Sequence, residues 1–209
     1  ILGAGYDCRA HRLELPSSLR IFEVDQSDVQ ARKRANLSKE MPNFQNITYV
    51  SIDFDNQSLT EKLMDAGYDQ SKSTIFTLEG VSQYITKEAL SSTIKEVAKL
   101  TKKTNSIFFV TYVNELFDKN PDACFGKGYP YAEKRAKLIK YAAAKAGEPW
   151  ISFYDANEIE SILSQNGYLI EENATLTELN SRYFAPVGRA LPENQILDLE
   201  HFVIAKSKN

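Results

Sequence analysis

Short apolar runs alternate with amphipathic stretches along most of the chain. Ile1-Leu2 reads as the end of one strand and Ile21-Phe22-Glu23-Val24-Asp25 as a second, with Ile47 to Ile52, Thr74 to Leu78 and Ile107 to Tyr112 following. Between them the apolar positions return at helical spacing. Ser27, with Gln30 three residues on, opens a stretch carrying Val29, the aliphatic stem of Lys33 and Leu37, complete by Lys39 and broken by Met41-Pro42-Asn43. A helix from about Ser58 to Ala66 stops at Gly67, and Thr86 caps another with Leu90, Ile94, Val97 and Leu100 on one face. Strands and helices in alternation predict an α/β fold, a parallel sheet covered on both faces.

From Val113 to Pro149 the rhythm fails. Pro121, Gly126, Gly128 and Pro130 interrupt it before a helix with Ala132, Ala136, Ile139, Ala143 and Ala146 on one stripe, ended by Gly147. The stretch reads as an insertion that closes like a lid over the carboxyl ends of the strands. Lys134, Lys137 and Lys145 either draw in an acidic substrate or form a solvated helix face. Regularity returns with Asp155, a cap paired with Glu158, then Ile159, Ile162 and Leu163 and a stop at Gly167. A strand is expected near Tyr168 to Glu172 and a last one at His201 to Ala205, with Asn180-Ser181-Arg182-Tyr183-Phe184-Ala185-Pro186 between them as a loop rich in binding-capable side chains.

Composition narrows the function classes. The 209 residues fit one domain, 1–209, with a sizeable core. A net charge of −3 leaves no basic field for nucleic acid. Cys8 and Cys124 are too few for a disulfide framework or a zinc site, the two histidines add little ligand capacity, and no metal is expected. A cytosolic compartment follows from that cysteine usage. No apolar run approaches the roughly 20 residues that span a bilayer, and no basic-then-apolar signal segment is present, so no membrane partner is expected. The chain opens on Ile1 in what reads as the tail of a strand, so upstream residues are expected to be missing.

The chemistry concentrates at the first turn. Leu2-Gly3-Ala4-Gly5 places glycine at alternate positions between a strand and the polar stretch Asp7-Cys8-Arg9-Ala10-His11-Arg12, and Asp25 ends the next strand about 20 residues later. Glycine there lets a ligand approach the backbone and permits φ > 0. Asp25 can accept both hydroxyls of a ribose. Cys8 stands where the dinucleotide fingerprint has its third glycine, which makes the turn less suited to a pyrophosphate and favours a ligand with a ribose and no phosphate, S-adenosylmethionine being the common one.

Three strands in sequence order end on acids, Asp25, Asp53 and Glu79, and in an open α/β sheet these ends line the ligand crevice. Each acid could instead cap the following helix, although Asn56 and Ser58 are available to cap after Asp53. The functional reading gives Asp25 to ribose, Asp53 to an adenine amino group with Phe54 against the ring, and Glu79 to a cationic part of the ligand. Candidates for orienting an acceptor are Tyr112, Asn114, Arg182 and Tyr183.

Taken together, Leu2-Gly3-Ala4-Gly5-x-Asp7-x-Arg9-Ala10-x-Arg12-Leu13, Phe22-Glu23-Val24-Asp25 with Arg32-Lys33 behind it, Asp53-Phe54, and Glu79-Gly80-Val81 with Tyr84-Ile85-Thr86 resemble the leucine carboxyl methyltransferase family over nearly the whole chain. The resemblance implies a Rossmann-like, seven-stranded class I methyltransferase sheet with helices on both faces and its last strand antiparallel. It also implies S-adenosyl-L-methionine as cofactor, with Gly3, Asp25, Asp53, Phe54 and Glu79 on cofactor-binding positions, to which the glycine turn itself adds Gly5. Family members carry helices before the first strand that supply an arginine for the cofactor's carboxylate, and Arg9 or Arg12 could substitute for it.

The expected reaction is O-methylation of a carboxylate or hydroxyl on a small molecule or a protein C-terminus. A carboxylic acid with a pKa near ~4 is ionised at neutral pH, so alignment and exclusion of water suffice and no dedicated general base is expected. His11 and His201, the only histidines, are expected to be packing or surface residues. The alternatives are a nicotinamide-dependent oxidoreductase, which the acidic rim opposes, and a non-catalytic cofactor-binding fragment.

Overall fold

The structure, a computed structural model, describes residues 1–37, 46–54 and 56–208. The helix end expected at Lys39, the break at Met41-Pro42-Asn43 and the acid Asp55 lie outside the described residues. Six strands are present among those described: β1 (Ile21–Asp25), β2 (Ile47–Ser51), β3 (Ile75–Leu78), β4 (Ile107–Val113), β5 (Tyr168–Thr175) and β6 (Glu200–Ser207). β1 pairs with β2 and β3 with β4, both in parallel, while β6 lies antiparallel between β4 and β5.

The seven strands expected are not confirmed: beyond the six described, Leu2 makes only isolated bridges. Leu2 bridges Val24 of β1 on one side and Leu78 of β3 on the other, both in parallel, and so joins the two-stranded and four-stranded parts. Its N–H donates to Thr77 O at 2.8 Å, and Val24 exchanges hydrogen bonds with Ile1 and Gly3 at 2.9 and 2.8 Å. The pairing ends there because Gly3 turns to φ +64°.

Helices α1 (Arg9–Arg12), α2 (Ser27–Asn36), α3 (Leu59–Asp65), α4 (Lys87–Thr101) and α8 (Ala156–Gln165) alternate with the strands, and α5 (Leu116–Lys119), α6 (Pro121–Cys124) and α7 (Ala132–Lys145) fill the insertion. The caps at Ser58, Thr86 and Asp155 form, each side chain accepting an N–H from the first turn. Ser27 does not cap. It is the first residue of α2, the flanking Gln26 makes no side-chain cap, and Asp25 Oδ1 takes the Gln26 N–H at 2.7 Å.

Cross-strand partners share a face of the sheet. Val24, Val50, Leu78, Phe108, Val110 and Val203 bury together with Leu63 of α3, Leu90 and Ile94 of α4, and Ile159 of α8. On the opposite face Ile21 and Ile47 pack on Ala10 of α1. Across β3, β4 and β6 that second face keeps Ile75 68% exposed and Phe109 and Phe202 half-buried, their rings stacked with centroids 6.5 Å apart. The inserted helices form a core of their own from Val113, Phe117, Cys124, Phe125, Ala132 and Ala136. Lys137 pairs with Glu133 at 2.6 Å on its exposed side.

Two stretches differ from the sequence reading. Residues 180–186 are not an irregular loop. A capping box between Thr175 and Glu178 starts α9 (Leu176–Leu179), which runs on into a π-helical turn over Asn180–Phe184 and a 3₁₀ turn over Ala185–Val187. Asn180 is buried and exchanges both of its amide hydrogen bonds with the Leu191 backbone, which holds the turn closed. Lys33, expected to bury only its stem, is 2% exposed and its Nζ donates to Glu23 Oε2 at 2.7 Å. Burial pushes the Glu23 carboxyl up, against the pull of Lys33. Gln30 Nε2 bridges Glu23 O and Val50 O at 3.1 and 3.0 Å, and His11 Nε2 meets Tyr49 OH at 2.8 Å beside them. The inner face of α2 is therefore polar by necessity.

Removing one partner of a buried ion pair leaves an uncompensated charge. Lys33→Met is expected to cost about 3–5 kcal/mol, and adding Glu23→Leu should recover most of it. Urea denaturation of the two variants checks this, and a loss below about 1 kcal/mol for the single substitution would mean that the pair is solvated.

Candidate functional site

The Gly3-Ala4-Gly5 turn is shaped by contacts that only glycine permits. Gly3 and Gly5 have φ of +64° and +43°, and a Cβ on Gly3 would lie 2.3 Å from Val81 Cγ2. The turn is latched to the neighbouring strand, because Gly5 N–H donates to Asp25 Oδ2 at 2.6 Å. With Gln26 N–H on Oδ1, each oxygen of Asp25 accepts one backbone donor and keeps a lone pair for a further one.

A cavity of about 270 Å³ opens beside the turn, lined by Ile1, Leu2, Gly3, Asp7, Arg9 and Glu79. Arg9 N–H and Nε donate to the two oxygens of Asp7 at 2.8 and 2.7 Å, and its Nη2 donates to Glu79 Oε1. Burial would raise the Asp7 carboxyl, but the Arg9 hydrogen bonds outweigh it and hold it below the usual range. Glu79, its hydrogen bond first, holds the Arg9 guanidinium above its ordinary value. The structure thus brings Gly3, Gly5, Asp25 and Glu79 to one turn. Asp53 stands on the adjacent β2 loop, accepting Asn56 Nδ2 at 2.8 Å, and Ser58 rather than Asp53 caps α3. Phe54 packs against the main core.

The acceptor candidates separate. Tyr112 is fully buried, and burial pushes its hydroxyl up to about 12. Asn114 Oδ1 accepts Leu116 N–H at 2.8 Å, which turns its Nδ2 toward His201 Nε2 at 3.0 Å. Nε2 must then be the unprotonated nitrogen, and Nδ1 carries the proton toward Tyr112 OH at 3.0 Å. Tyr112 OH in turn donates to Asn173 Oδ1 at 3.2 Å. Burial lowers the His201 pKa, in keeping with a neutral ring. Tyr112 and Asn114 thus belong to one closed network with His201. Arg182 and Tyr183 sit apart from it on the exposed π-helical turn, where Arg182 pairs with Glu172.

Glu200 was missed. Reading acids from strand carboxyl ends finds only parallel strands, whereas the antiparallel β6 brings its first residue to that rim, opposite Val113. Burial pushes the Glu200 carboxyl up, Thr111 opposes this, and Glu79 adds like-charge repulsion. Thr111 Oγ1 also accepts Gly80 N–H at 2.9 Å, which ties the two acids into one rim.

Residues 1–98 match the model of the family described as Leucine carboxyl methyltransferase. Over 192 residues the chain is 34% identical to the Bacillus subtilis protein named "Putative S-adenosyl-L-methionine-dependent methyltransferase YktD", covering 88% of this chain and 58% of that protein. The chain thus spans less than two thirds of the length of that relative. Among solved structures, a possible exported protein from Bordetella parapertussis superposes with a TM-score of 0.65 at 12% identity, covering 99% of this chain and 60% of that one. An S-adenosylmethionine dependent methyltransferase from Mesorhizobium loti superposes with a TM-score of 0.57 at 14% identity, covering 90% and 80%. The fold is shared with these proteins. No helix among the described residues is long and apolar enough to cross a membrane.

The His201 network gives a spectroscopic prediction. Unfolded imidazole protonates near pH 6.5, whereas the folded ring resists protonation, so its contribution to stability is present above that pH and is lost as pH falls through it. NMR titration should place the folded His201 pKa below ~6.5, and Asn114→Asp, which sets a carboxylate against Nε2, should move it above that value.

Proposed function

We propose, for a chain that belongs over residues 1–98 to the leucine carboxyl methyltransferase family, that it binds S-adenosylmethionine at the Gly3-Ala4-Gly5 turn and methylates an oxygen nucleophile. The observation that carries the reading is the latch between Gly5 N–H and Asp25 Oδ2, which holds an acceptor pair beside a turn whose Gly3 is packed under Val81. Asp25 would take the ribose hydroxyls, Asp53 the adenine amino group with Phe54 against the ring, and Glu79 the ammonium. A rim carrying Asp7, Asp25, Glu79 and Glu200 against Arg9 suits a cationic ligand and repels a diphosphate. When bound, the cofactor supplies an electrophilic methyl group on a sulfonium.

The chain's own residues then orient, dry and neutralise. A carboxylate on a small molecule or a protein C-terminus is the favoured acceptor, because it arrives ionised and needs no proton removed. Two observations support an acceptor of that kind. His11 is fully buried against Tyr49, and both ring nitrogens of His201 are engaged, so neither imidazole is available as a base. A hydroxyl acceptor would instead call on Glu200, whose raised pKa suits proton uptake near the rim. The insertion with its separate core is placed by this reading as the wall of the acceptor site.

Calorimetric titration of S-adenosylmethionine into the chain, with Asp25→Ala beside it, tests the cofactor assignment. Binding by the wild type and a weakening of about 1–3 kcal/mol in the folded variant are expected. A folded wild-type chain that binds nothing would sink the reading.

A further inference from the structure

Helix α7 turns one stripe inward, with Ala132, Ala136 and Ile139 on the core of the insertion. At about 100° per residue the opposite stripe is Lys134, Leu138, Tyr141 and Lys145, which runs about 17 Å along the helix. All four are exposed. Leu138 and Tyr141 leave 55% and 63% of their surface to water, and Tyr131 at the start of the helix leaves 78%. A single exposed apolar residue needs no explanation, but three along one helix, interleaved with cations, form a patch.

Neither packing nor ion pairing accounts for this face. Lys137 and Lys140 on the flanks are neutralised by Glu133 and Asp118. Lys134, Arg135 and Lys145 form no ion pair among the described residues, so they stand as uncompensated cations on a chain whose net charge is −3. Tyr131 has φ +59° and is the one non-glycine residue among those described with a positive φ. That backbone crowds a Cβ, and the exposed ring returns little to the fold in exchange.

We propose that the outer face of α7 docks this protein on an anionic lipid surface: Tyr131, Leu138 and Tyr141 settle among the headgroups, while Lys134, Arg135 and Lys145 pair with lipid phosphates. The side chains suit both halves of that contact. A tyrosine has an apolar ring and a polar tip, and a lysine lays its stem along apolar surface while its ammonium reaches the phosphates. The outer side of a single helix is a convex ridge, which meets a flat surface along its whole length. Such a helix lies along the interface rather than across it, so its 14 residues suffice. The apolar and electrostatic contributions are each small, which makes the attachment reversible and sensitive to salt. The glycine turn takes no part, so this docking stands or falls apart from the cofactor reading.

Co-sedimentation with vesicles tests the docking. The chain should pellet with vesicles of phosphatidylcholine and phosphatidylglycerol in equal parts, remain in solution with phosphatidylcholine alone, and be released by high salt. Lys134→Glu with Lys145→Glu should lower the partition coefficient at least about tenfold, and Leu138→Ser with Tyr141→Ser should lower it about tenfold. Lys95→Glu with Lys99→Glu makes the same change in net charge on α4, outside the insertion, and should stay within about twofold of wild type. Circular dichroism melts should show all three pairs folded, since every altered side chain is exposed. Folded wild type that ignores the anionic vesicles overturns the proposal, as does binding that both α7 pairs leave unchanged or that the α4 pair abolishes equally. Binding to polyglutamate that depends on Lys134 and Lys145, without binding to vesicles, also overturns it and assigns the face to an acidic polypeptide.

Discussion

The structure depends on the backbone of Leu2. One residue, hydrogen-bonded to Thr77 and flanked by bonds from Val24, joins β1–β2 to β3–β4–β6–β5 and then hands the chain to Gly3. Because Leu2 is held on both sides and its side chain is 1% exposed, the turn that follows cannot shift along the sheet. Everything at the candidate site is measured from that turn. Gly3 must adopt φ +64° at the point where Val81 closes over it, Gly5 N–H then meets Asp25, and Asp7 and Arg9 come up beside Glu79.

Burial decides what each acid near this joint does. Glu23 and Asp25 are two residues apart on β1, so both side chains leave the same face of the strand. Glu23 lies under α2 and needs the ammonium of Lys33, whereas Asp25 lies at the strand end and is satisfied by two backbone N–H groups. The first is committed to the fold and is buried, with Oε1 only 3.5 Å from His11 Nδ1, so it is closed to a ligand. The second retains lone pairs at an open edge. Glu79 and Glu200 extend the series, the former half-exposed on Arg9 and the latter pushed up by burial beside it.

Signals that are local in the chain were legible in the sequence. Strand positions, the caps at Ser58, Thr86 and Asp155, and the positive φ at Gly67 and Gly167 follow from side chains within a few residues of one another. The glycine turn and Asp25 were legible because their spacing encodes one strand-turn-strand unit. What escaped depends on long-range pairing. That Lys33 buries its charge requires Glu23 to face it across a helix and a strand, and the helical course of residues 180–187 requires Leu191 to satisfy Asn180. Tyr112 was placed at the rim by its position near a strand end, but the alternation of the pleat turns it inward to His201 and Asn173.

Glu200 shows why chain direction matters as much as composition when a rim is assembled. In a purely parallel sheet only residues that end strands can reach the crevice, and a search along the sequence for such ends is complete. One antiparallel strand breaks that rule, because its beginning arrives where its neighbours finish. β6 therefore delivers Glu200 to the rim beside Thr111 and His201 to the network behind it, from a segment almost 90 residues after the end of β4. The two adjacent residues face opposite sides of the sheet, so one strand start supplies both an acid toward the Glu79 side and a neutral imidazole toward Tyr112.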